Sequence, residues 1–229
     1  MERLIILLTE SSLETIPKDL LNDPVIIRDA KRMRREPRYL ILDRARHHSA
    51  MAKLRDAERR GRPDIVHEAL LTIQDSPLAR SGLVKTYIHT INNVVIDVDP
   101  EIRPPRNYNN FIGLVSQLFE LGRVPPTGKP LLRIVSNDVK YVLNTEKPDR
   151  VVLLDDVRGR ETTMMDLINY LVSLRKPLVM IGGFPRGSFS EATYSLANDV
   201  VKVGKYVMST SSILCRLLHA LEMRLGIFT

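Results

Sequence analysis

Apolar and polar residues alternate in blocks along the first part of the chain, and these blocks predict its elements. Residues 4–9 (LIILLT) and 39–43 (YLILD) are continuous apolar runs of the kind found in buried strands. Residues 28–38 lie between them and carry six basic residues, which indicates an exposed charged segment. A helix is predicted over about residues 47–60, where apolar residues recur at helical spacing and Gly61 provides a stop.

The middle of the chain predicts two helices and a hairpin. Pro63 stands at the first turn of a helix that carries apolar residues along one face. Residues 85–91 and 94–98 have alternating patterns and are separated by two asparagines, which predicts a β-hairpin. A second helix is predicted over residues 107–121. We interpret the region around 80–110 as a hairpin-and-helix insert.

The last hundred residues have a different pattern. Three continuous apolar strands are predicted at 131–136, 150–155 and 177–183, and residues 200–203 suggest a fourth. A final helix with a wide apolar stripe is predicted at 209–225. Strands that alternate with helices indicate an α/β protein with a parallel sheet covered on both faces.

Charge and composition limit the classes of partner that we expect for this protein. The 229 residues carry a formal net charge of +7, and arginine outnumbers lysine, which favours a polyanion and above all nucleic acid. A single cysteine excludes an intrachain disulfide and fits a reducing cytoplasm, where we expect the protein to act. The apolar runs are too short to span a bilayer, so no membrane partner is expected. The five histidines lack metal-ligand spacing, so no metal site is expected either.

One glycine-rich loop is the strongest candidate for a binding site. The apolar run at residues 178–181 ends in Gly182 and Gly183, and Gly187 follows after three intervening residues. Gly183 and Gly187 are one residue too close for a Walker loop, and no lysine precedes Ser188. The pattern also differs from the dinucleotide-binding fingerprint. A simple strand-to-loop turn without a ligand remains an alternative for the loop alone.

Two further loops can join it at the strand ends. Leu154–Arg158, Gly182–Gly187 and Val203–Met208 each follow a predicted strand. The carboxyl ends of parallel strands are where α/β sheets bind ligands. These loops contain mainly apolar side chains and backbone groups, so the pocket suits a cofactor with an adenine ring and no phosphate.

Four segments resemble a known family. They are RRGRPDIVHEALL (59–71), DSPLARSG (75–82), YIHTINNVVIDVDPEIRPPRNYNNFIGLVSQL (87–118) and IGGFPRG (181–187). They are similar to the rRNA small-subunit pseudouridine N1-methyltransferases, a SPOUT-class family of ribosome biogenesis in archaea and eukaryotes. The likeness runs in order along nearly the whole chain, and the compact length suggests an archaeal member.

The resemblance implies a fold, a cofactor and partners. We expect a single SPOUT-like domain over 1–229 with a C-terminal trefoil knot over about 131–229, the insert near 80–110 being specific to the family. A homodimer, small-subunit rRNA as substrate and ribosomal assembly proteins as further partners are also implied. The implied methyl donor is S-adenosyl-L-methionine. A branched side chain at Gly182 is expected to enter its space. The residues expected to bind it are Gly182, Gly187, Val203, Gly204, Lys205, Tyr206, Val207, Met208 and Asp156.

The resemblance also assigns RNA contacts. Arg62 is expected to touch rRNA, and Asp64, two residues on, is expected to hold its guanidinium in place. Without a ligand, Asp64 would simply favour the start of its helix and Arg62 would be solvated. Arg103 and Arg106 match two further RNA-contacting arginines, whereas Asn110 stands where the family usually has arginine.

Tyr108, near these arginines, either stacks on an extruded base or forms the edge of the core.

The implied reaction is methylation at N1 of one pseudouridine, and the sequence leaves its general base unidentified. Asp64, Asp75, Asp155 and Asp156 are the carboxylates in the relevant motifs, and each also fits a cap or an ion pair. Two other functions stay open. The chain fits an RNA-binding ribosome-assembly factor in which methylation is secondary, and it fits a related knotted tRNA methyltransferase.

Overall fold

Within residues 1–227, which the computed structural model describes, nine strands form one sheet. They are β1 (Leu4–Ser11), β2 (Val84–Thr90), β3 (Val95–Val98), β4 (Arg123–Val124), β5 (Leu132–Ser136), β6 (Val151–Leu154), β7 (Arg160–Thr162), β8 (Leu178–Gly182) and β9 (Asp199–Val203). Their order is β4-β5-β3-β2-β1-β8-β6-β9-β7, so β1 is central.

The predicted parallel sheet is confirmed for most of these strands. β2, β1, β8, β6, β9 and β7 pair in parallel along the sheet. β3 runs antiparallel to β2 and forms the predicted hairpin with it, while β5 and β4 extend the sheet in antiparallel pairs. Because β2 also pairs with β1, the hairpin is continuous with the main sheet. That the region near 80–110 is a family-specific insert stays a prediction.

Helices pack on both faces of the sheet, and polar residues fix where several of them begin. The side chains of Asp23, Asn107 and Ser209 each accept a hydrogen bond from a backbone N–H in the first turn of the helix they precede. No helix in residues 1–227 is long and apolar enough to cross a membrane. The helices are α1 (Pro24–Met33), α2 (Arg44–Met51), α3 (Pro63–Asp75), α4 (Pro77–Arg80), α5 (Tyr108–Leu121), α6 (Lys140–Glu146), α7 (Met164–Ser173), α8 (Glu191–Tyr194) and α9 (Thr210–Leu225).

The fully buried strand β1 divides the interior into two cores. Leu4, Ile6 and Leu8 point into the larger core, which is completed by α3, α5, α7 and α9. Ile5 and Leu7 point to the opposite face, where they meet α6 and the segment before α8. This division follows from the two-residue period of a strand. A third, smaller core lies beneath α1 and α2.

Three predicted elements differ from the structure. Residues 39–43 are not a strand. They lie between a 3₁₀ turn at Pro37–Tyr39 and the start of α2, and Ile41 forms an isolated β-bridge with Thr15. The helix predicted over 47–60 is α2, which starts earlier, has non-helical angles at His47 and ends at Met51. Much of the charged segment 28–38 belongs to α1, because Asp23 caps this helix and its apolar face is buried.

The chain crosses itself closely at the edge of the sheet. β6 and β7 follow each other in sequence, yet β9 lies between them and pairs with both. The segment that joins β6 to β7 therefore passes over the end of β9. At Gly159 this segment lies against backbone atoms of Asp155, Val201 and Lys202, and a Cβ there would collide with all three. Only glycine permits this crossing.

Candidate functional site

A cavity of about 410 Å³ lies at the carboxyl ends of β6, β8 and β9. Its lining includes residues 154–157 after β6, 184–189 after β8 and 206–208 after β9. The predicted convergence of these three loops is therefore confirmed. This is the edge of a parallel sheet where ligands bind, because the loops open outward from the strand ends there.

Most residues predicted to bind a cofactor line this cavity. Gly204 and Lys205 do not, since they line neighbouring clefts next to α7 and α9. Val201, Phe189 and Ile213 add apolar surface that the sequence did not assign to the site. The predicted residues in the lining are Asp156, Gly182, Gly187, Val203, Tyr206, Val207 and Met208.

The glycine loop is shaped by close packing. A Cβ at Gly182 would lie 3.1 Å from the ring of Phe184 and 3.2 Å from that of Phe189. A side chain at Gly182 would first meet these two cavity-lining rings, and its entry into cofactor space stays a prediction. A Cβ at Gly183 would collide with Ser11 of β1. Gly187 has a φ of +96°, a conformation that disfavours other residues.

The first turn of α9 is tied to the same loop. The Thr210 hydroxyl donates a hydrogen bond of 2.7 Å to the carbonyl oxygen of Gly182, and both residues line the cavity. Ser209 caps the helix by accepting from the backbone N–H of Ser212. The start of α9 is thus held at the end of β8, and its apolar stripe is buried in the larger core.

Glu10, near the end of β1, fixes the loop that follows β8. Its Oε1 accepts hydrogen bonds from the backbone N–H and hydroxyl of Ser190, at 2.9 and 2.7 Å, and from the hydroxyl of Thr193 at 2.7 Å. Its Oε2 accepts from Arg59 at 2.6 Å, and the Arg59 guanidinium lies 4.2 Å from the ring centroid of Phe184. Burial raises the pKa of Glu10, but the hydrogen bonds from Thr193, Ser190 and Arg59 outweigh it, so the pKa is lowered. A carboxylate thus holds the loop at two points.

The sequence interpretation missed Glu10 and Arg59. The available signal was a glutamate directly following the buried residues 4–9, since a buried charge requires partners. Its partners come from the distant segments 57–59 and 190–193, so the signal could not name them.

Some charged side chains at the cavity already have hydrogen-bond partners, and others remain exposed. Asp155 accepts from the backbone N–H groups of Val157 and Arg158 and from the Tyr194 hydroxyl at 2.6 Å. Burial and this bond to Asp155 raise the pKa of Tyr194 to about 12. Asp155 therefore acts as a loop cap.

Asp156 and Arg186 are the charged cavity-lining residues that stay exposed without a partner among the described residues. This places Arg186, which the sequence left unassigned, at the cavity.

The predicted pairing of Arg62 with Asp64 is present. The Arg62 guanidinium donates to both Asp64 oxygens at 2.7 to 3.1 Å, and this hydrogen bond raises the pKa of Arg62. The Arg62 backbone N–H also donates to Ser12 Oγ at 2.9 Å. The side chain of Arg62 is 40% exposed, so the guanidinium is oriented and still accessible.

The other predicted RNA-binding residues lie in the segment before α5 and in the first turn of that helix. Arg106 forms an ion pair of 2.8 Å with Asp75 at the end of α3. Arg103 donates to the carbonyl oxygen of Ile102 at 2.8 Å, and Asn110 lies exposed in the first turn of α5. We define the α3–α5 face as Arg62, Asp64, Arg103, Arg106 and Asn110. Binding of RNA there stays a prediction.

Tyr108 belongs to the core edge rather than to an open stacking surface. Its hydroxyl donates to Asp43 at 2.8 Å, and its ring is partly buried against the larger core, 5.9 Å from the ring centroid of His67. Burial and the bond to Asp43 raise its pKa. His67 stacks on Phe111 and bonds to the carbonyl oxygen of Pro105, which fixes the arginine segment against α3.

Short connections join the α3–α5 face to the cavity. Ser12, which holds the Arg62 backbone, donates its own N–H to the carbonyl oxygen of Gly183 at 2.8 Å. Ser211 in the first turn of α9 donates to Glu68 on α3 at 3.3 Å. A molecule bound on the α3–α5 face is therefore adjacent to the cavity.

The chain matches known proteins over almost its whole length. The family model described as EMG1/NEP1 methyltransferase matches residues 6–222. A Pyrobaculum aerophilum protein named ribosomal RNA small subunit methyltransferase Nep1 is 41% identical over 98% of this chain and 100% of its own. A Pyrococcus furiosus protein of the same name is 42% identical over 82% of this chain and 83% of its own.

A solved structure is also similar. The crystal structure of Archaeoglobus fulgidus Nep1 bound to S-adenosylhomocysteine has a TM-score of 0.84 and 32% identity, and the match covers 98% of this chain and 99% of that one.

Proposed function

This chain belongs to the EMG1/NEP1 methyltransferase family, and from that premise we propose its reaction. It is an S-adenosylmethionine-dependent methyltransferase of small-subunit rRNA, which confirms the family and cofactor predicted from the sequence. The atom that we assign as methyl acceptor is N1 of a pseudouridine. The observation that most strongly supports this reaction is that a cavity with few charged groups lies next to a face of oriented arginines.

The cavity fits this cofactor. Its volume of about 410 Å³ lies in the usual range for small-molecule sites, and its walls present apolar side chains to an adenine ring. Arg186 and Asp156 both line the cavity and are exposed, so Arg186 would meet the cofactor's carboxylate and Asp156 its ammonium group. S-adenosylmethionine supplies an activated methyl group when it is bound. The residues of this chain supply position and orientation, which can contribute much of the rate of a displacement reaction.

The arginine face would hold the RNA. Arg62 is kept in one orientation by Asp64, so little conformational entropy is lost when it binds a phosphate or a base edge. Among the carboxylates considered as the base, Asp64, Asp75 and Asp155 already bond to neighbouring groups. We leave the general base unassigned.

Nucleoside mass mapping tests this function directly. The protein is incubated with S-adenosylmethionine and either a small-subunit rRNA stem-loop containing pseudouridine or the same stem-loop with uridine. We expect a methyl group on pseudouridine only. Equal methylation of both RNAs would contradict the assignment of N1. Binding of S-adenosylhomocysteine and RNA without methylation would favour an assembly factor, and preferential methylation of tRNA would favour the third alternative.

We also propose that the chain is knotted. β9 lies between β6 and β7, and Gly159 lets the connecting segment cross β9 at backbone contact. This crossing supports the knot predicted for the last hundred residues. Because such a crossing must form by threading, refolding from denaturant is expected to be slow compared with that of unknotted α/β proteins of similar size.

A homodimer is the third part of the proposal. Tyr206, Val207, Met165 and Met223 are large apolar residues exposed in the single chain. Tyr206 also lines a cleft formed with Met164 of α7 and residues of α9. Exposed apolar residues grouped around α7 and α9 support a surface that a second copy covers. Contacts with ribosomal assembly proteins stay a prediction.

A further inference from the structure

The positive charge of this protein is concentrated in one small unit. Residues 18–60 contain thirteen lysines and arginines and seven acidic residues, which leaves +6 of the formal net charge of +7. This unit includes α1 and α2 and has its own apolar core, formed by residues such as Ile26, Leu42 and Met51. The predicted RNA residues of the α3–α5 face lie outside it. Arg35, Arg59 and Arg60 pair with carboxylates outside the unit. The remaining excess of +3 points to a second surface.

Within the unit, α1 separates its charges by face. Asp29 is turned inward, where its carboxylate meets His47, Arg46 and Arg32. Arg28, Lys31 and Arg34 lie on the exposed side, and none of them has an ion-pair partner among residues 1–227. We name these three residues the α1 basic face.

Helix stability explains Lys31, which lies in the last turn of α1 near the negative end of the helix dipole, but it does not explain Arg28. Arg28 and Lys31 are one helical turn apart, so their like charges repel each other. Arg34 at the end of α1 takes a left-handed conformation with a φ of 51°. Lys31 and Arg34 line an open groove that also includes Ile27 and Pro37. An anion bound there relieves the repulsion, and the apolar residues offer contact area.

The α1 basic face lies near the α3–α5 face. Tyr108 at the start of α5 bonds to Asp43 at the start of α2, and α2 packs on α1. Farther along α5, Ser116 donates to the carbonyl oxygen of Tyr39, and Arg35 forms an ion pair of 2.8 Å with Glu120. α5 thus borders both surfaces. A single polymer of phosphates that lies on one surface can continue onto the other.

We propose that the α1 basic face binds the phosphate backbone of the substrate RNA beyond the stem-loop that enters the cavity. This inference rests on the proposed function, because it takes small-subunit rRNA as the polymer. Exposed arginine and lysine suit RNA phosphates, and contacts of this kind add affinity without reading sequence. An acidic protein segment is a less suitable occupant, since it would not explain why the basic surface borders the RNA-binding residues.

The test compares two RNAs and two variants. The RNAs are the target stem-loop alone and the same stem-loop extended by its flanking rRNA helix. In one variant Arg28→Gln, Lys31→Gln and Arg34→Gln are combined. The control combines Lys140→Gln, Lys147→Gln and Arg150→Gln. It removes the same charge from exposed positions at the first residue of α6 and in the segment between α6 and β6. Dissociation constants are measured as a function of salt concentration.

We expect the first variant to lose about tenfold in affinity for the extended RNA at low salt, with a salt dependence shallower by about two to three units of slope. Its affinity for the short stem-loop and its methylation rate at saturating RNA should equal those of the wild type. Polyglutamate is titrated as well, as a probe for an acidic protein segment. Equal losses of affinity for the extended RNA in both variants, or a loss in the first variant that is confined to polyglutamate, would overturn the proposal. A wild-type protein that binds both RNAs but methylates neither would contradict the proposed function, and the salt slopes would still decide the role of the α1 basic face.

Discussion

Replacing Glu10 with glutamine should loosen the loop that follows β8 and lines the cavity, while the fold persists. The glutamine oxygen can still accept hydrogen bonds from Ser190 and Thr193, whereas Arg59 loses its charged partner. Removal of one member of a buried ion pair costs about 3–5 kcal/mol. The Arg59 side chain keeps 19% of its surface exposed, and two sets of hydrogen bonds survive, so we expect about 2 kcal/mol of destabilisation.

This loss should appear in both stability and ligand binding. For a chain of this size the melting temperature should fall by about 4–8 °C, which leaves the protein folded at room temperature. If the loop keeps its binding conformation only a tenth of the time, the affinity for S-adenosylhomocysteine falls about tenfold. Calorimetric titration measures this affinity, and denaturant unfolding measures the free energy.

Glu14→Gln is the matched control. Glu14 is a second buried glutamate just after β1, and it pairs with Arg60 at 2.5 and 2.8 Å and with Asn92. The Glu14 side chain makes no hydrogen bond or ion pair with the loop after β8 within the described residues. This variant should be destabilised to a similar degree and should bind S-adenosylhomocysteine like the wild type. Equal affinities of the Glu10 variant and the wild type, or equal losses in both variants, would refute the reasoning.

The pH dependence provides an independent check. The pKa of Glu10 is lowered in the folded protein, so its stabilising contribution is present above its ordinary value of 4.5. That contribution is lost as the pH falls through the lower, folded pKa. The difference in unfolding free energy between the wild type and Glu10→Gln should therefore shrink below about pH 4.5. A constant difference down to strongly acidic pH would show that the carboxylate charge is not what holds the loop.

Three further substitutions test the division of the molecule into surfaces. Arg62→Ala or Arg106→Ala should weaken RNA binding and reduce its salt dependence without changing S-adenosylhomocysteine affinity; loss of cofactor binding would contradict that division. Gly182→Val should weaken the binding of S-adenosylhomocysteine without changing RNA binding, because the added methyl groups push the rings of Phe184 and Phe189 into the cavity. An unchanged calorimetric affinity for S-adenosylhomocysteine would contradict this packing argument. Met223→Glu should convert the proposed dimer into a monomer, since it places a charge in the exposed apolar surface, and light scattering that shows an unchanged mass would place the interface elsewhere.

Several elements of the fold could be predicted because their causes are local. The continuous apolar runs at 4–9 and 177–183 are buried on both sides in the central strands, as such runs require. β7 escaped prediction because its three exposed or half-exposed residues, Arg160–Thr162, have no strand pattern and are held by β9 alone. The apolar segment 39–43 was wrongly predicted to be a strand. Leu40 and Leu42 pack beneath α1 and α2, and Ile41 packs in the larger core, without forming a strand of the sheet.

The features of the candidate site also differ in whether the sequence alone could predict them. The amino-acid sequence by itself determined the α/β class, the loops at the strand ends and the pairing of Arg62 with Asp64, because each depends on neighbours along the chain. Only the tertiary structure decided that Glu10 and Arg59 hold the loop that follows β8, that Phe184 and Phe189 fill the space beside Gly182, and that Tyr108 bonds to Asp43. The contacts of Glu10 and Tyr108 join residues far apart in sequence. The two phenylalanine rings are near Gly182 in sequence, but their positions depend on packing against Arg59 and Tyr194. Their geometry exists only after the strands have paired and the helices have packed, so no local pattern can encode it.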